Sequence, residues 1–181
     1  SALLSNSLPQ QNYSLQHTLS NGTRVDCLLF LPEPTGNVAI DAKFPLEAFK
    51  RYHQKNLPAD ERKEAKNQFK RDVLRHIQDI HNKYVAAEET AEGAIMFLPA
   101  ESIFAELHNS FPDLIEKSHQ LKVWITSPTT MMAIITTARA VIKDAATRKQ
   151  IHIIQSHLRH LAKDFGRFEK RMDNLSKHIE Q

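Results

Sequence analysis

The chain has 181 residues, of which 41% are hydrophobic and 25% are charged; this is typical of a soluble globular protein and sufficient for one core. Its single cysteine, Cys27, excludes an internal disulfide and a zinc site built from several cysteines. No run approaches the roughly 18 apolar residues of a membrane-spanning helix. No signal peptide is recognisable, so we expect a cytoplasmic location and no membrane contact within these residues.

The net charge of +3 is unevenly distributed along the chain. Residues 43–84 contain eleven Lys and Arg against six Asp and Glu, and residues 119–181 contain eleven against five. Residues 85–118, in contrast, contain one Lys against seven Asp and Glu. Two basic segments around an acidic one would suit a polyanion such as DNA. Solvated helix faces produce the same pattern, so charge alone leaves both interpretations open.

The first quarter of the chain predicts three antiparallel strands. Residues 13–19 alternate between apolar and polar side chains, and residues 24–32 are more continuously apolar, which favours a central strand. The third strand, 38–43, follows the turn "EPTGN". Because the turn "SNG" at 20–22 is also short, the three strands are predicted to form an up-down-up meander.

Helices and strands alternate after the meander. Periodicity predicts a short helix after Pro45, a long helix at 57–85, a strand at 94–99, helices at 100–108 and 112–121, a strand at 122–126 and a helix at 127–146. Ser127 and Pro128 are suitable as the N-cap and the first residue of that last helix. The fold class is therefore predicted to be α/β, with a mixed sheet in which an antiparallel meander is joined to parallel strands and flanked by helices.

The C-terminal segment has the clearest periodicity in the chain. Nine apolar residues follow a 3-4 spacing over four heptads: Ile151, Ile154, Leu158, Leu161, Phe165, Phe168, Met172, Leu175 and Ile179. The pattern predicts a long amphipathic helix at 149–181, separate from a core domain at 1–148. The apolar stripe could pack on the core, on a partner or on a second copy, and the spacing does not decide among these.

Two carboxylates in neighbouring strands are the candidate site. Asp26 and Asp41 lie at comparable distances from the turn between their strands, so antiparallel pairing would make them neighbours. Lys43 is predicted to share the face of Asp41, because strand side chains alternate with period two. Two carboxylates and a lysine fit a Mg²⁺ or Mn²⁺ site for phosphodiester hydrolysis. A salt-bridge cluster at a sheet edge is the alternative.

Histidines offer a second metal interpretation. His76 and His81 lie in the long predicted helix, and His157 and His160 lie in the last one. Neither pair has the i, i+4 spacing of a helical zinc site. We therefore expect these side chains to face solvent or phosphate.

Five motifs extend from Tyr13 into the final helix: "YSLQHTLSNGTRVDCLLFLP", "VAIDAKFPLEAF", "IHNKYV", "IMFLPAESIFAEL" and "VWITSPTTMMAIITTA". Together they resemble the RmuC family of DNA recombination proteins, which is similar to a branch of the PD-(D/E)xK nuclease superfamily. The resemblance implies a restriction-endonuclease-like core and a metal-dependent nuclease acting on DNA. It places Asp26 and Asp41 as catalytic metal ligands, Lys43 as the catalytic lysine, and Gln16 facing the same site.

Further residues are weaker candidates. Glu101 follows the fourth predicted strand and opens a helix, where a carboxylate is also favoured by the helix dipole. Five basic residues near the site are predicted to contact DNA phosphates: Lys50, Arg51, Lys66, Lys70 and Arg71.

The resemblance also implies segments that lie outside these residues. These are a helix carrying a glutamate ligand before the first strand, a membrane anchor and a coiled coil. A site without that glutamate would lack one metal ligand. The alternative function is therefore a non-catalytic DNA-binding or scaffolding module that retains the nuclease fold and dimerises through the C-terminal helix.

Overall fold

A computed structural model describes residues 2–85 and 88–179 of the chain, with the side chains of 4–85 and 88–171. The residues group into two units, 1–140 and 141–181, and the boundary falls within the last helix. Whether residues 1–148 form an independent domain stays a prediction.

The first unit contains a five-stranded mixed sheet. Its strands are β1 (Tyr13–Thr18), β2 (Arg24–Leu29), β3 (Val38–Asp41), β4 (Ala94–Phe97) and β5 (Val123–Thr126). They lie side by side in chain order, with β1, β2 and β3 antiparallel and β3, β4 and β5 parallel. The predicted meander, the internal position of β2 and the parallel pairings are therefore confirmed.

Helices flank the sheet, as predicted. They are α1 (Ala2–Ser5), α2 (Leu46–Tyr52), α3 (Ala59–Ile80), α4 (Glu101–Ser110), α5 (Pro112–Gln120) and α6 (Pro128–Ile179). A 3₁₀ turn at Gln10–Asn12 precedes β1, and a π-helical turn at His81–Val85 follows α3. The helices predicted at 127–146 and 149–181 form one helix, because no proline or glycine lies between them to interrupt it.

The core lies between the sheet and α3. Phe69, Val73, Ile77 and Ile80 repeat at helical spacing, are at most 1% exposed and pack with strand residues such as Leu28. Burying each of these large side chains contributes roughly 1.5–3 kcal/mol. The apolar periodicity of α3 thus fixes its orientation on the sheet.

The N-terminus of α6 is held by the predicted cap. Thr130 N donates a hydrogen bond to Ser127 Oγ at 3.2 Å, and Met131 N donates to Ser127 O at 2.8 Å. Within the first unit, Met131 and Ile135 of α6 are buried. In the part of the chain that the structure describes, no helix combines the length and apolarity needed to cross a bilayer.

The second unit is the remainder of α6. Its apolar stripe is exposed at every position whose side chain is described: Ile151 49%, Ile154 58%, Leu158 59%, Leu161 62%, Phe165 71% and Phe168 60%. The side chains of Met172, Leu175 and Ile179 lie outside the described residues. The fold is thus a mixed α/β sheet with a long C-terminal helix, and the restriction-endonuclease-like arrangement stays a prediction.

Candidate functional site

The two predicted carboxylates lie at the same end of adjacent strands. Cys27 pairs with Ile40 in the antiparallel ladder, so continuing this register places Asp26 opposite Asp41. The strands separate here, and Ala42 N donates a hydrogen bond to Asp26 Oδ2 at 3.0 Å. The hairpin therefore places Asp26 and Asp41 at the same end of adjacent strands, each with its own hydrogen-bond partners.

Asp41 is a buried carboxylate, only 4% exposed. Lys43 N donates to its Oδ1 at 2.9 Å, a local turn in which an aspartate accepts from the residue two positions later. The Tyr84 hydroxyl lies 3.2 Å from Oδ2, and His76 Nε2 lies 3.7 Å from Oδ1. Backbone and side-chain contacts thus determine the orientation of Asp41.

Tyr84 connects Asp41 to strand β2. Its hydroxyl lies 2.9 Å from Arg24 O as well as 3.2 Å from Asp41 Oδ2, so one proton serves two acceptors. Burial raises the pKa of Tyr84, and the charge of Asp41, its hydrogen bond and the charge of Asp26 raise it further. The hydroxyl therefore stays protonated and remains a donor at neutral pH.

His76 faces Asp41 from helix α3. Its side chain is 18% exposed, and its Nε2 atom is buried without a hydrogen-bond partner among the described residues. The expectation that His76 faces solvent or phosphate is therefore wrong, because helix α3 turns this position toward the end of β3. His81 Nδ1 lies 2.8 Å from Leu121 O, so this ring is engaged by the backbone.

Asp26 and Gln16 lie next to an apolar cavity. Gln16 Nε2 donates to Asp26 Oδ1 at 3.1 Å, and Gln16 has a left-handed backbone with φ of 49°. Both side chains border a cavity of about 490 Å³, whose other lining residues are Leu4, Leu15, Cys27, Ile40, Ala42, Phe97, Met131 and Ile135. Burial raises the pKa of the Cys27 thiol to about 11, so the thiol is neutral in this wall.

Lys43 borders a different cleft. This cleft of about 440 Å³ is lined by Lys43, Phe44, Pro45, Asp72, Arg75, His76 and Asp79. His76, which lines this cleft, also lies 3.7 Å from Asp41 Oδ1, so the cleft adjoins the buried carboxylate, and a shared face for Lys43 and Asp41 stays a prediction. The predicted catalytic residues therefore lie between two openings, with Asp26 and Gln16 at one and Lys43 at the other.

Two of the predicted DNA-binding residues lie on another flank of α3. Lys70 Nζ forms an ion pair with Asp113 Oδ2 of α5 at 2.6 Å. Lys66 Nζ lies 5.2 Å from the centre of the Phe111 ring, which directly precedes α5. The structure does not group these two lysines with His76 and the carboxylates.

The other three predicted DNA-binding residues are exposed. Lys50 pairs with Glu47 at 3.2 Å, and Arg71 pairs with Glu64 at 2.8 Å. Arg51 lies beside Lys50 at the end of α2. Exposed ion pairs of this kind are weak, so these side chains could exchange a carboxylate for a phosphate.

Glu101 supports the N-terminus of α6. Its Oε1 atom accepts a hydrogen bond from Thr129 N at 2.7 Å. Hydrogen bonding to Thr129 lowers the pKa of Glu101 and keeps the carboxylate charged. This contact gives the Glu101 carboxylate a structural role, and its predicted catalytic role stays a prediction.

The donor set at Asp26 and Asp41 is compatible with a divalent cation. Each carboxylate oxygen has two lone pairs, so oxygens that accept one hydrogen bond keep capacity for a ligand. Mg²⁺ commonly uses one or two carboxylates and completes its shell with water and substrate phosphate. Within residues 4–85 and 88–171, no group of three His, Cys, Asp or Glu side chains is placed to hold a metal ion.

Tyr84 and His76 are site residues that sequence reasoning did not assign. In the sequence, Tyr84 continues the apolar spacing of Ile77 and Ile80 in the long predicted helix. A tyrosine on a buried helix face does carry one signal, since its hydroxyl needs a polar partner when buried. The sequence does not reveal that this partner is Asp41, 43 positions away.

Fold and site together define a mixed α/β protein with one carboxylate at the same end of each of two adjacent strands. The chain belongs to the RmuC family, whose model matches residues 1–181. It is 30% identical to a DNA recombination protein RmuC homolog of Chlamydia trachomatis serovar D and 29% identical to that of Chlamydia muridarum. Each of these alignments covers 96% of this chain and 39% of the relative.

A more distant relative carries the same description. The DNA recombination protein RmuC homolog of Xylella fastidiosa strain Temecula1 is 25% identical over 77% of this chain and 31% of its own length. The chain thus spans about two fifths of the Chlamydia relatives and less of this one. No solved structure matches the chain.

Proposed function

We propose that this chain is the core of a metal-dependent nuclease that hydrolyses DNA phosphodiester bonds during recombination. The observation that supports the proposal is the strand register, in which Cys27 pairs with Ile40, so that Asp26 and Asp41 are the next residues at the same end of β2 and β3 and Lys43 follows two residues further on. The names of the relatives, DNA recombination protein RmuC homolog, support a role in DNA recombination.

Asp26 and Asp41 would hold Mg²⁺ or Mn²⁺. A bound divalent ion lowers the pKa of a coordinated water and neutralises charge on the phosphate. Lys43 would orient that water or offset charge that develops on the phosphate. Tyr84 and the Lys43 backbone keep Asp41 in one orientation, and Gln16 and the Ala42 backbone do the same for Asp26.

The DNA backbone would be contacted by Lys50, Arg51, Lys66, Lys70 and Arg71. Three of these, Lys50, Lys70 and Arg71, would have to leave exposed ion pairs, which costs little. Lys66 and Lys70 lie toward α5, so a duplex that reaches them would also have to cross α3. Of the five proposed DNA contacts, those to Lys66 and Lys70 therefore place the strictest requirement on the path of the duplex.

Cleavage of plasmid DNA in Mg²⁺ tests the catalytic proposal. We expect Asp41→Ala and Lys43→Ala to abolish cleavage, while the surface variant Asp113→Ala cleaves normally. Because Asp41 is buried, Asp26→Asn serves as a second carboxylate variant, with the fold checked by circular dichroism. Mn²⁺ binding by calorimetry should fall in both carboxylate variants and persist in Lys43→Ala. Wild-type cleavage in all three variants would contradict the mechanism.

A non-catalytic DNA-binding module is the second candidate function. It is favoured because both oxygens of Asp41 already have protein partners and the described residues offer no third metal ligand. It predicts that DNA binding needs no metal and survives Asp41→Ala, while the wild-type chain does not cleave. Magnesium-dependent cleavage that is lost in Lys43→Ala would rule it out.

We further propose that the exposed stripe of α6 joins two copies of the chain. The described stripe residues are 49–71% exposed and extend over more than two heptads, so they form a continuous apolar surface that the stripe of a second copy would bury. Sedimentation should show a dimer for the wild type and for Ser156→Asp on the opposite face, and a monomer for Leu161→Asp. A monomeric wild type would remove the proposal.

A further inference from the structure

The face of α6 opposite the apolar stripe carries a separate charge pattern. With Ile151 at heptad position a, the outer positions b, c and f between 149 and 170 contain five Lys and Arg, two His and no Asp or Glu. The basic members of this cationic face are Lys149, His152, Arg159, His160, Lys163, Arg167 and Lys170. The two carboxylates of the same stretch, Asp164 and Glu169, flank the stripe at positions g and e.

We propose that this cationic face binds the phosphate backbone of duplex DNA. It lies in a different unit from Asp26 and Asp41, and it contains none of the residues assigned to the catalytic proposal. The proposal therefore goes beyond the nuclease function and does not depend on a metal ion.

The side chains of the cationic face are available for a ligand. Its seven basic members are all exposed. Within the described part of the chain, Lys149, Arg159, Lys163 and Lys170 form no ion pair with a carboxylate. Arg167 pairs with Asp164 at 3.5 Å, but both side chains are more than two thirds exposed, so the pair is weak.

The length of the face suits a duplex. Lys149 and Lys170 are 21 residues apart, which corresponds to about 32 Å along a helix. One turn of B-DNA is roughly 34–36 Å long. Lys149, Lys163 and Lys170 share position f, so they form one row that could follow a phosphate backbone.

Charge placement favours DNA over an anionic membrane. A helix lying on a bilayer inserts its apolar stripe, so the residues beside the stripe meet the headgroups. Here Asp164 and Glu169 occupy positions beside the stripe, where anionic headgroups would repel them. The five Lys and Arg between 149 and 170 lie on the far side, where a second copy or another apolar partner on the stripe would leave them accessible.

The test compares two triple variants with the same loss of charge. Arg159→Gln, Lys163→Gln and Lys170→Gln neutralise the cationic face, whereas Lys143→Gln, Arg148→Gln and Arg171→Gln neutralise positions e and g of the same helix. Binding of the 181-residue chain to a duplex of about three helical turns is measured by anisotropy in EDTA at several salt concentrations. Circular dichroism and sedimentation verify that both variants keep the helicity and assembly state of the wild type.

We expect the first variant to reduce the slope of log K against log salt by about 2.7, because each lost phosphate contact accounts for about 0.9. The second variant should reduce it by less than about 1. Equal slopes in the two variants would overturn the proposal. The proposal would also be overturned if the first variant bound vesicles of phosphatidylserine and phosphatidylcholine less tightly than the wild type does, but bound DNA equally tightly. Since the assay contains EDTA, failure of the nuclease proposal does not affect this result.

Discussion

Helix α3 and the second half of α6 have the same apolar periodicity and opposite environments. In α3, Phe69, Val73 and Ile77 are fully buried against the sheet. In α6, Leu161 and Phe165 occupy equivalent stripe positions and are 62% and 71% exposed. Periodicity therefore predicts that a helix has an apolar face, and only tertiary contacts determine whether that face already has a partner.

This difference has a consequence for stability. The apolar face of α3 stabilises the fold of a single chain, because its burial is part of folding. The exposed stripe of α6 can add to stability only when it packs on another molecule. Its contribution to the free energy of unfolding should therefore depend on protein concentration.

The largest expected effect is the loss of the Phe69 ring. Phe69 is fully buried, and its ring centre lies 5.3 Å from that of Phe111 and 5.6 Å from that of Phe49. Phe69→Ala should lower the free energy of unfolding by about 3–5 kcal/mol. Urea unfolding followed by the fluorescence of Trp124, the single tryptophan, reports on this unit.

Phe165→Ala is the matched change in α6. It should leave the Trp124 unfolding curve unchanged within about 0.5 kcal/mol and weaken self-association instead. A loss of stability comparable to that of Phe69→Ala, independent of concentration, would mean that the stripe packs within its own chain.

Tyr84→Phe should have the next largest effect. The change removes one buried hydroxyl, which leaves Arg24 O and Asp41 short of a donor. We expect a loss of about 1–3 kcal/mol in the free energy of unfolding. The control Tyr52→Phe removes a hydroxyl 3.2 Å from Glu106, a carboxylate that is 25% exposed and that water can reach. If Tyr52→Phe lowered the free energy of unfolding as much as Tyr84→Phe does, burial of the Tyr84 hydroxyl would not explain its effect.

The first unit should also be sensitive to alkaline pH. The pKa of Cys27 is 9.0 in an unperturbed thiol and about 11 in the fold, so the unfolded chain loses its proton first. The contribution of the neutral Cys27 thiol to the free energy of unfolding is fully present below pH 9 and is lost as the pH rises toward 11. Cys27→Ala should remove this part of the decline, measured by urea unfolding at a series of pH values. Parallel declines in both proteins would show that Cys27 makes no contribution.

Surface ion pairs should have the smallest effect in either region. Lys70 pairs with Asp113 in the first unit, and Arg167 pairs with Asp164 in the second. Lys70→Ala and Arg167→Ala should each change the free energy of unfolding by less than about 1 kcal/mol. Thermal unfolding in low and high salt tests this, and a larger loss for Lys70→Ala would show that its link between α3 and α5 is structural.

Much of the fold could be predicted from the sequence because the signals are local. Alternating side chains and short turns predicted the meander, and the length of one hairpin predicted that Asp26 and Asp41 lie at the same end of adjacent strands. Ser127 and Pro128 predicted where α6 begins. A continuous α6 was not predicted, because its weak apolar pattern between 146 and 151 suggested a break that the backbone does not make.

The surroundings of each carboxylate were decided only by the tertiary structure. Helix α3 brings His76 to Asp41, and the turn after it brings Tyr84, although both are distant in sequence. Glu101 supports α6 because β4 and β5 are adjacent and parallel, a relation that residue spacing does not encode. Local patterns determine which elements form and which faces are apolar, whereas the partner of a face or a charge depends on how distant elements pack.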